Sequence, residues 1–212
     1  MLIDASYFVG MINIPNKDNN DVLSLIDWYI GKYEVDILRD CLGMDLYRQF
    51  MTALGQTPAG SGQPARYLYV SGGVADPENV SQEWIDLLNG KEYVGLDSRL
   101  HKWQGFIAVT DDTSPAKSLI ANYVYYQIMK NRATITMGIG EVVADADGAS
   151  NVSVNDKAVA AWNEMVEWIH DLIWFLDYSI ATYGFYEYYP GWWLQNRYKL
   201  LARYKVINRF NL

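Results

Sequence analysis

Few residues in this chain could do acid–base or metal chemistry. Its 212 residues hold two histidines, His101 and His170, and one cysteine, Cys41. A zinc site needs several Cys or His ligands whose donor atoms converge within about 2.3 Å of one ion. Neither histidine has a second His or a Cys at ligand spacing, so no metal site is expected. His170 follows Glu167 by one helical turn and precedes Asp171, a carboxylate–imidazole set able to act as a base. No nucleophile accompanies it, and a solvated or core-edge histidine accounts for it more simply. Cys41 falls within an apolar helical pattern and reads as a buried small hydrophobe. Met137, Gly138, Ile139, Gly140 and Glu141 resemble a phosphate loop but lack the third Gly and the Lys-Ser/Thr pair, so a turn is the better reading. Asp145, Asp147 and Gly148 fail as a calcium loop, because Gly stands at position 4 and Asp156 occupies position 12. No catalytic residues and no cofactor are therefore expected.

Binding chemistry is concentrated at the C-terminal end. Between Gly191 and Leu212 lie Arg197, Lys199, Arg203, Lys205 and Arg209 with no Asp or Glu. The first 190 residues keep the other 12 basic residues against all 25 acidic ones, a net charge of −13. Nine of the 22 residues from Tyr183 to Tyr204 are aromatic. Aromatic anchors and cations of this kind dominate protein interfaces. Trp192, Trp193, Arg197, Tyr198, Lys199, Arg203, Tyr204, Lys205 and Arg209 are therefore the candidate partner-binding residues. Two placements satisfy the charges. The segment docks on another, negatively charged protein, or it folds back onto its own acidic body. Interleaved bases and aromatics also suit nucleic acid, but an acidic body repels a polyanion.

The elements that must position these residues follow from apolar spacing. Residues 1–18 read as an N-terminal arm or irregular lead-in. Asn19 to Asp21 offer an N-cap to a helix carrying Val22, Leu25, Ile26, Tyr29, Tyr33, Ile37 and Cys41. Gly43 is a C-cap, and a second helix spans 44–54. Residues 56–80 are a Gly- and Pro-rich loop, followed by a short helix over 81–89. A hairpin over 91–103 turns near Gly95 to Ser98. Ser114 and Pro115 supply an N-cap and first turn for a helix reaching Arg132. Residues 133–153 read as a protruding loop. Trp162, Met165, Val166, Ile169, Leu172, Ile173 and Leu176 mark the longest helix, 156–182, as the central core helix. Leu194, Tyr198, Leu201, Tyr204, Ile207 and Phe210 predict an amphipathic helix over 193–210. The fold class is mainly α: a bundle of about four to five helices with long loops and a short β-hairpin. The bundle spans 19–185 and the docking tail 186–212. No stretch approaches the roughly 18 apolar residues of a membrane span.

Several stretches resemble the head–tail connector, or neck adaptor, proteins of tailed phages, including the crAss-like phages of gut Bacteroidetes. They are IGKYEVDILRDCLGMDLYRQF (Ile30 to Phe50), WIDLLNGKEY (Trp84 to Tyr93) and KWQG (Lys102 to Gly105). YVYY (Tyr123 to Tyr126), TMGIGEVV (Thr136 to Val143) and AWNEMV (Ala161 to Val166) complete the set, which covers most of residues 20–180. The resemblance implies a virion protein made in the bacterial cytoplasm, a subunit of a homo-oligomeric ring beneath the portal that joins head to tail. Its implied partners are further copies of itself, the portal protein, and tail or neighbouring neck proteins, close to DNA in the channel and away from any membrane. The Ala108 to Ser114 insert and the long basic tail depart from that pattern. A cytoplasmic adaptor or a nucleic-acid-binding packaging factor is the alternative from another class.

Overall fold

The computed structural model describes residues 1–54, 80–108, 117–133, 154–183 and 190–207. Most of both predicted loops, the Ser114-Pro115 start, the glycine-rich and acidic motifs at 137–148, and Arg209 lie outside the described residues. Among those described, five α-helices and two small antiparallel sheets form a helical bundle with a short hairpin.

Helix α1 (Asn20–Ala53) starts where the Asn19 side chain accepts the Asp21 N–H at 2.9 Å. It bends at Gly43, whose φ of +72° and ψ of +169° only glycine adopts readily, so two helical runs meet there as the sequence predicts. Helix α2 (Gln82–Asn89) leads through Gly90 into β1 (Lys91–Val94), which pairs antiparallel with β2 (Leu100–Trp103). Trp103 is fully buried and donates its indole N–H to the Leu87 carbonyl at 2.9 Å, tying the hairpin to α2. The chain leaves β2 through Gly105, φ +87°, where an added Cβ would lie 2.4 Å from the Asn89 carbonyl carbon. Gly105→Ala should therefore cost about 3 kcal/mol through backbone strain and steric overlap, read as a lower urea midpoint. A midpoint equal to that of the parent chain would refute the tight crossing.

The next helix begins later than its local signals predict. Strand β3 (Ile107–Ala108) pairs with β4 (Lys117–Ser118), and α3 (Leu119–Ala133) follows directly. Ser118 takes the capping role. Its hydroxyl accepts the Ile120 and Ala121 N–H groups at 3.0 and 3.3 Å and donates to the Phe106 carbonyl at 2.7 Å. Every residue from Leu119 to Tyr125 except the polar Asn122 is a buried hydrophobe, and Asn122 is buried too. α3 packs against α1 and α4 (Val154–Tyr183), and both α3 and α4 belong to the core. The helix predicted as the core helix, α4, buries Met165, Val166, Ile169, Leu172, Ile173 and Leu176 as its spacing predicts.

Residues 1–18 are a lead-in and not a free arm. Two short 3-10 turns, Ala5–Tyr7 and Gly10–Ile12, carry Leu2, Ile3, Tyr7, Phe8, Ile12 and Ile14 into the core. The Glu34 carboxylate in α1 accepts the Leu2 N–H at 2.7 Å and the Ile3 N–H at 3.4 Å. Burying six large apolar side chains outweighs the entropy of an extended arm.

Candidate docking site of the C-terminal helix

Helix α5 (Pro190–Arg203) opens on proline at its first position, where the missing N–H costs nothing. Trp193, Arg197, Leu200 and Tyr204 recur at i, i+4, i+7 and i+11 and share one face. That face meets the acidic body at two carboxylates. Asp177 of α4 accepts the Trp193 indole N–H at 2.6 Å and the Arg197 guanidinium at 3.0 and 3.2 Å. Asp40 of α1 accepts the Tyr204 hydroxyl at 2.6 Å and pairs with Arg203 at 2.8 Å. Burial is the main reason the Tyr204 phenol titrates far above its ordinary value, with the Cys41 and Asp40 anionic forms adding to it. Cys41 itself is wholly buried, and burial raises its thiol well above the range of a reactive cysteine.

The aromatic residues that hold α5 form a connected series. Trp28, Tyr29, Tyr33, Tyr123, Tyr204, Trp162 and Tyr126 follow one another at ring separations of 5.0, 5.8, 6.1, 6.5, 5.7 and 4.6 Å. These rings join α1, α3, α4 and the end of α5.

The candidate residues therefore divide. Trp193 and Tyr204 are buried, and Arg197 and Arg203 are held by carboxylates of the same chain. Trp193 is thus turned inward and Tyr204 is enclosed, whereas the Arg203 side chain stays 64% exposed while paired with Asp40. Tyr198, Lys199 and Lys205 are exposed, with the Arg197 guanidinium 4.9 Å over the Tyr198 ring. The Trp192 side chain and Arg209 lie outside what is described. The helix ends at Arg203, not 210, and its inner face is rotated by one residue from the Leu194–Tyr198–Leu201 stripe. Asp40 and Asp177 set that rotation by capturing hydrogen-bond donors which the apolar pattern ignores. Two of the five tail cations, Arg197 and Arg203, are thus paired with carboxylates of the same chain.

His101 sits on the hairpin with its ring stacked between Tyr93 and Trp174, 5.6 and 5.4 Å away. Its Nε2 lies 2.9 Å from Asp97 Oδ1, and that bond is the first cause of the lowered Asp97 carboxyl. His170 is exposed on α4. Among the described residues no group of three or more His, Cys, Asp or Glu could hold a metal ion, and no helix is long and apolar enough to cross a membrane.

The outer side of the hairpin is the other feature of the site. Register places Tyr93 and His101 together against α4, which leaves Val94 and Leu100 paired on the opposite face. Val94, Leu96 and Leu100 are 60%, 71% and 73% exposed. The chain matches no protein-family model, no curated protein and no solved structure.

Proposed function

We propose that this chain is a structural subunit of a tailed-phage head–tail connector, assembling as a ring beneath the portal. The observation that carries this reading is the outer hairpin face, with Val94, Leu96 and Leu100 held clear of the core on a ribbon anchored by Trp103. Adjacent exposed apolar side chains on a rigid support mark surfaces that other proteins cover. Further exposed apolar side chains lie elsewhere, at Tyr198, Leu201, Val206 and Ile207. Two unlike surfaces are what a closed ring of identical subunits requires, since each copy meets its neighbours through different patches. The likeness of Ile30 to Phe50 and the other stretches to neck adaptors supplies the particular setting.

Sedimentation of the purified chain, alone and with its phage's portal ring, tests the reading. A ring-sized species, or co-sedimentation with the portal, is the expected result. A chain that stays monomeric at every concentration and ignores the portal overturns it. Leu100→Asp should abolish assembly while changing stability by less than about 0.5 kcal/mol, because the side chain is already in water. Normal assembly of that variant would remove the hairpin from the interface.

A further inference from the structure

Beyond Tyr204, residues 205–207 are neither helix nor strand, and two side chains of α4 hold their backbone. The Trp162 indole N–H donates to the Lys205 carbonyl at 2.8 Å. The Asn163 amide donates to the Ile207 carbonyl at 3.0 Å and accepts the Ile207 N–H at 2.8 Å. Alternate residues are thus engaged from one side, the way a strand is read by its neighbour. No side chain of the gripped segment enters the core: Lys205, Val206 and Ile207 are all exposed. The hydrogen bonds of this hold accordingly use no side chain of the segment.

The hold on the segment is weak. All three bonds are solvent-exposed, and their modest net gain is offset by the entropy of ordering three residues. Tyr204 is anchored through Asp40, so the pivot falls at Lys205, and three extended residues reach about 10 Å beyond it. Held by an adjacent copy, the segment keeps the same three bonds, and exposed apolar side chains such as Val206 and Ile207 are of the kind that subunit contacts cover. We propose that Trp162 and Asn163 form an acceptor for the Lys205–Ile207 segment of a second copy, so that neighbouring subunits exchange this segment on assembly. The inference rests on the ring reading above. It predicts that the end of α5 of one copy abuts the first third of α4 of the next, a head-to-tail contact that closes into a ring.

Full-length chains carrying p-benzoylphenylalanine at the exposed Val206 position, in light and heavy isotopic forms, provide the test. The two forms are mixed before assembly, sedimented and illuminated. Cross-links from residue 206 to the α4 peptide containing Asn163 should include mixed light–heavy pairs as abundant as the two uniform kinds together. Asn163→Ala in both forms should reduce those mixed pairs several-fold. Rings that yield only uniform pairs, or mixed pairs indifferent to Asn163→Ala, overturn the exchange and leave the ring reading standing. A monomer in sedimentation overturns both.

Discussion

Replacing Tyr204 with Ala is expected to destabilise the whole bundle by about 4 kcal/mol, the range for deleting a large buried aromatic side chain. The ring lies between Tyr123 and Trp162, and its hydroxyl donates to Asp40 at 2.6 Å. Its loss opens a cavity where α1, α3, α4 and α5 meet. With a denaturant slope near 2 kcal/mol/M, the urea midpoint should fall by about 2 M. Tyr204→Phe separates the two contributions. It keeps the ring and removes one hydrogen bond to a charged acceptor, so about 1–3 kcal/mol is expected. Asp40 then retains Arg203, which limits the penalty. The opposite result is equally clear. If α5 were a docking arm independent of the bundle, Tyr204→Ala would move the midpoint by no more than an exposed substitution does, about 0.5 kcal/mol or less. By the same reasoning, removing residues 191–212 should lower the melting temperature of the remaining helices, since Trp193, Leu200 and Tyr204 belong to their core.

Local signals in the sequence located the parts whose structure is decided locally. Asn19 and Gly43 bound the first helical run because capping and positive φ are properties of one or two residues. The hairpin followed from turn residues between two short alternating stretches. The misplaced features were those settled by distant partners. Ser114 and Pro115 are a better helix start than Ser118 by local chemistry, yet pairing of β4 with β3 commits Lys117 and Ser118 to a strand. The inner face of α5 depends on Asp40, 164 residues from Tyr204, and on Asp177, 16 residues from Trp193. No periodicity in the tail reports them. The aromatic residues of the tail serve inside the chain as well. Tyr and Trp suit interfaces because they combine apolar area with a polar tip, and the same combination lets Trp193 and Tyr204 satisfy carboxylates inside one chain. Of the candidate site, Tyr198, Lys199, Arg203 and Lys205 keep the exposure expected of them, while Trp162 and Asn163, which hold the backbone of 205–207, gave no sequence signal apart from their place in a helix.

The pH dependence of stability should carry the mark of Glu34. This carboxyl is 1% exposed, accepts the Leu2 and Ile3 N–H groups through Oε2, and has no partner at Oε1. Burial pushes its pKa up to about 7, against an ordinary 4.5, while the Met1 amino group and the two backbone N–H groups oppose the rise. A carboxyl whose pKa is higher in the folded state binds its proton more tightly there. Its contribution to stability is complete below about pH 4.5 and is lost as pH rises through about 7. The shift corresponds to roughly 3 kcal/mol. Glu34→Gln isolates it, because glutamine keeps an oxygen for the Leu2 and Ile3 N–H groups and never ionises. Burial lowers the Met1 amino group to about 4, which gives it the opposite pH dependence. That contribution is present in both chains and cancels from their difference, apart from its coupling to Glu34. Urea titrations of the parent chain and of Glu34→Gln at pH 4.5 and pH 8 give the comparison. The parent should lose roughly 3 kcal/mol relative to the variant over that interval, and the loss should fall mainly on the packing of residues 1–14 against α1. Parallel pH profiles for the two chains would show that Glu34 is charged or solvated in the folded protein, and would rule out a protonated carboxyl as the anchor of the lead-in.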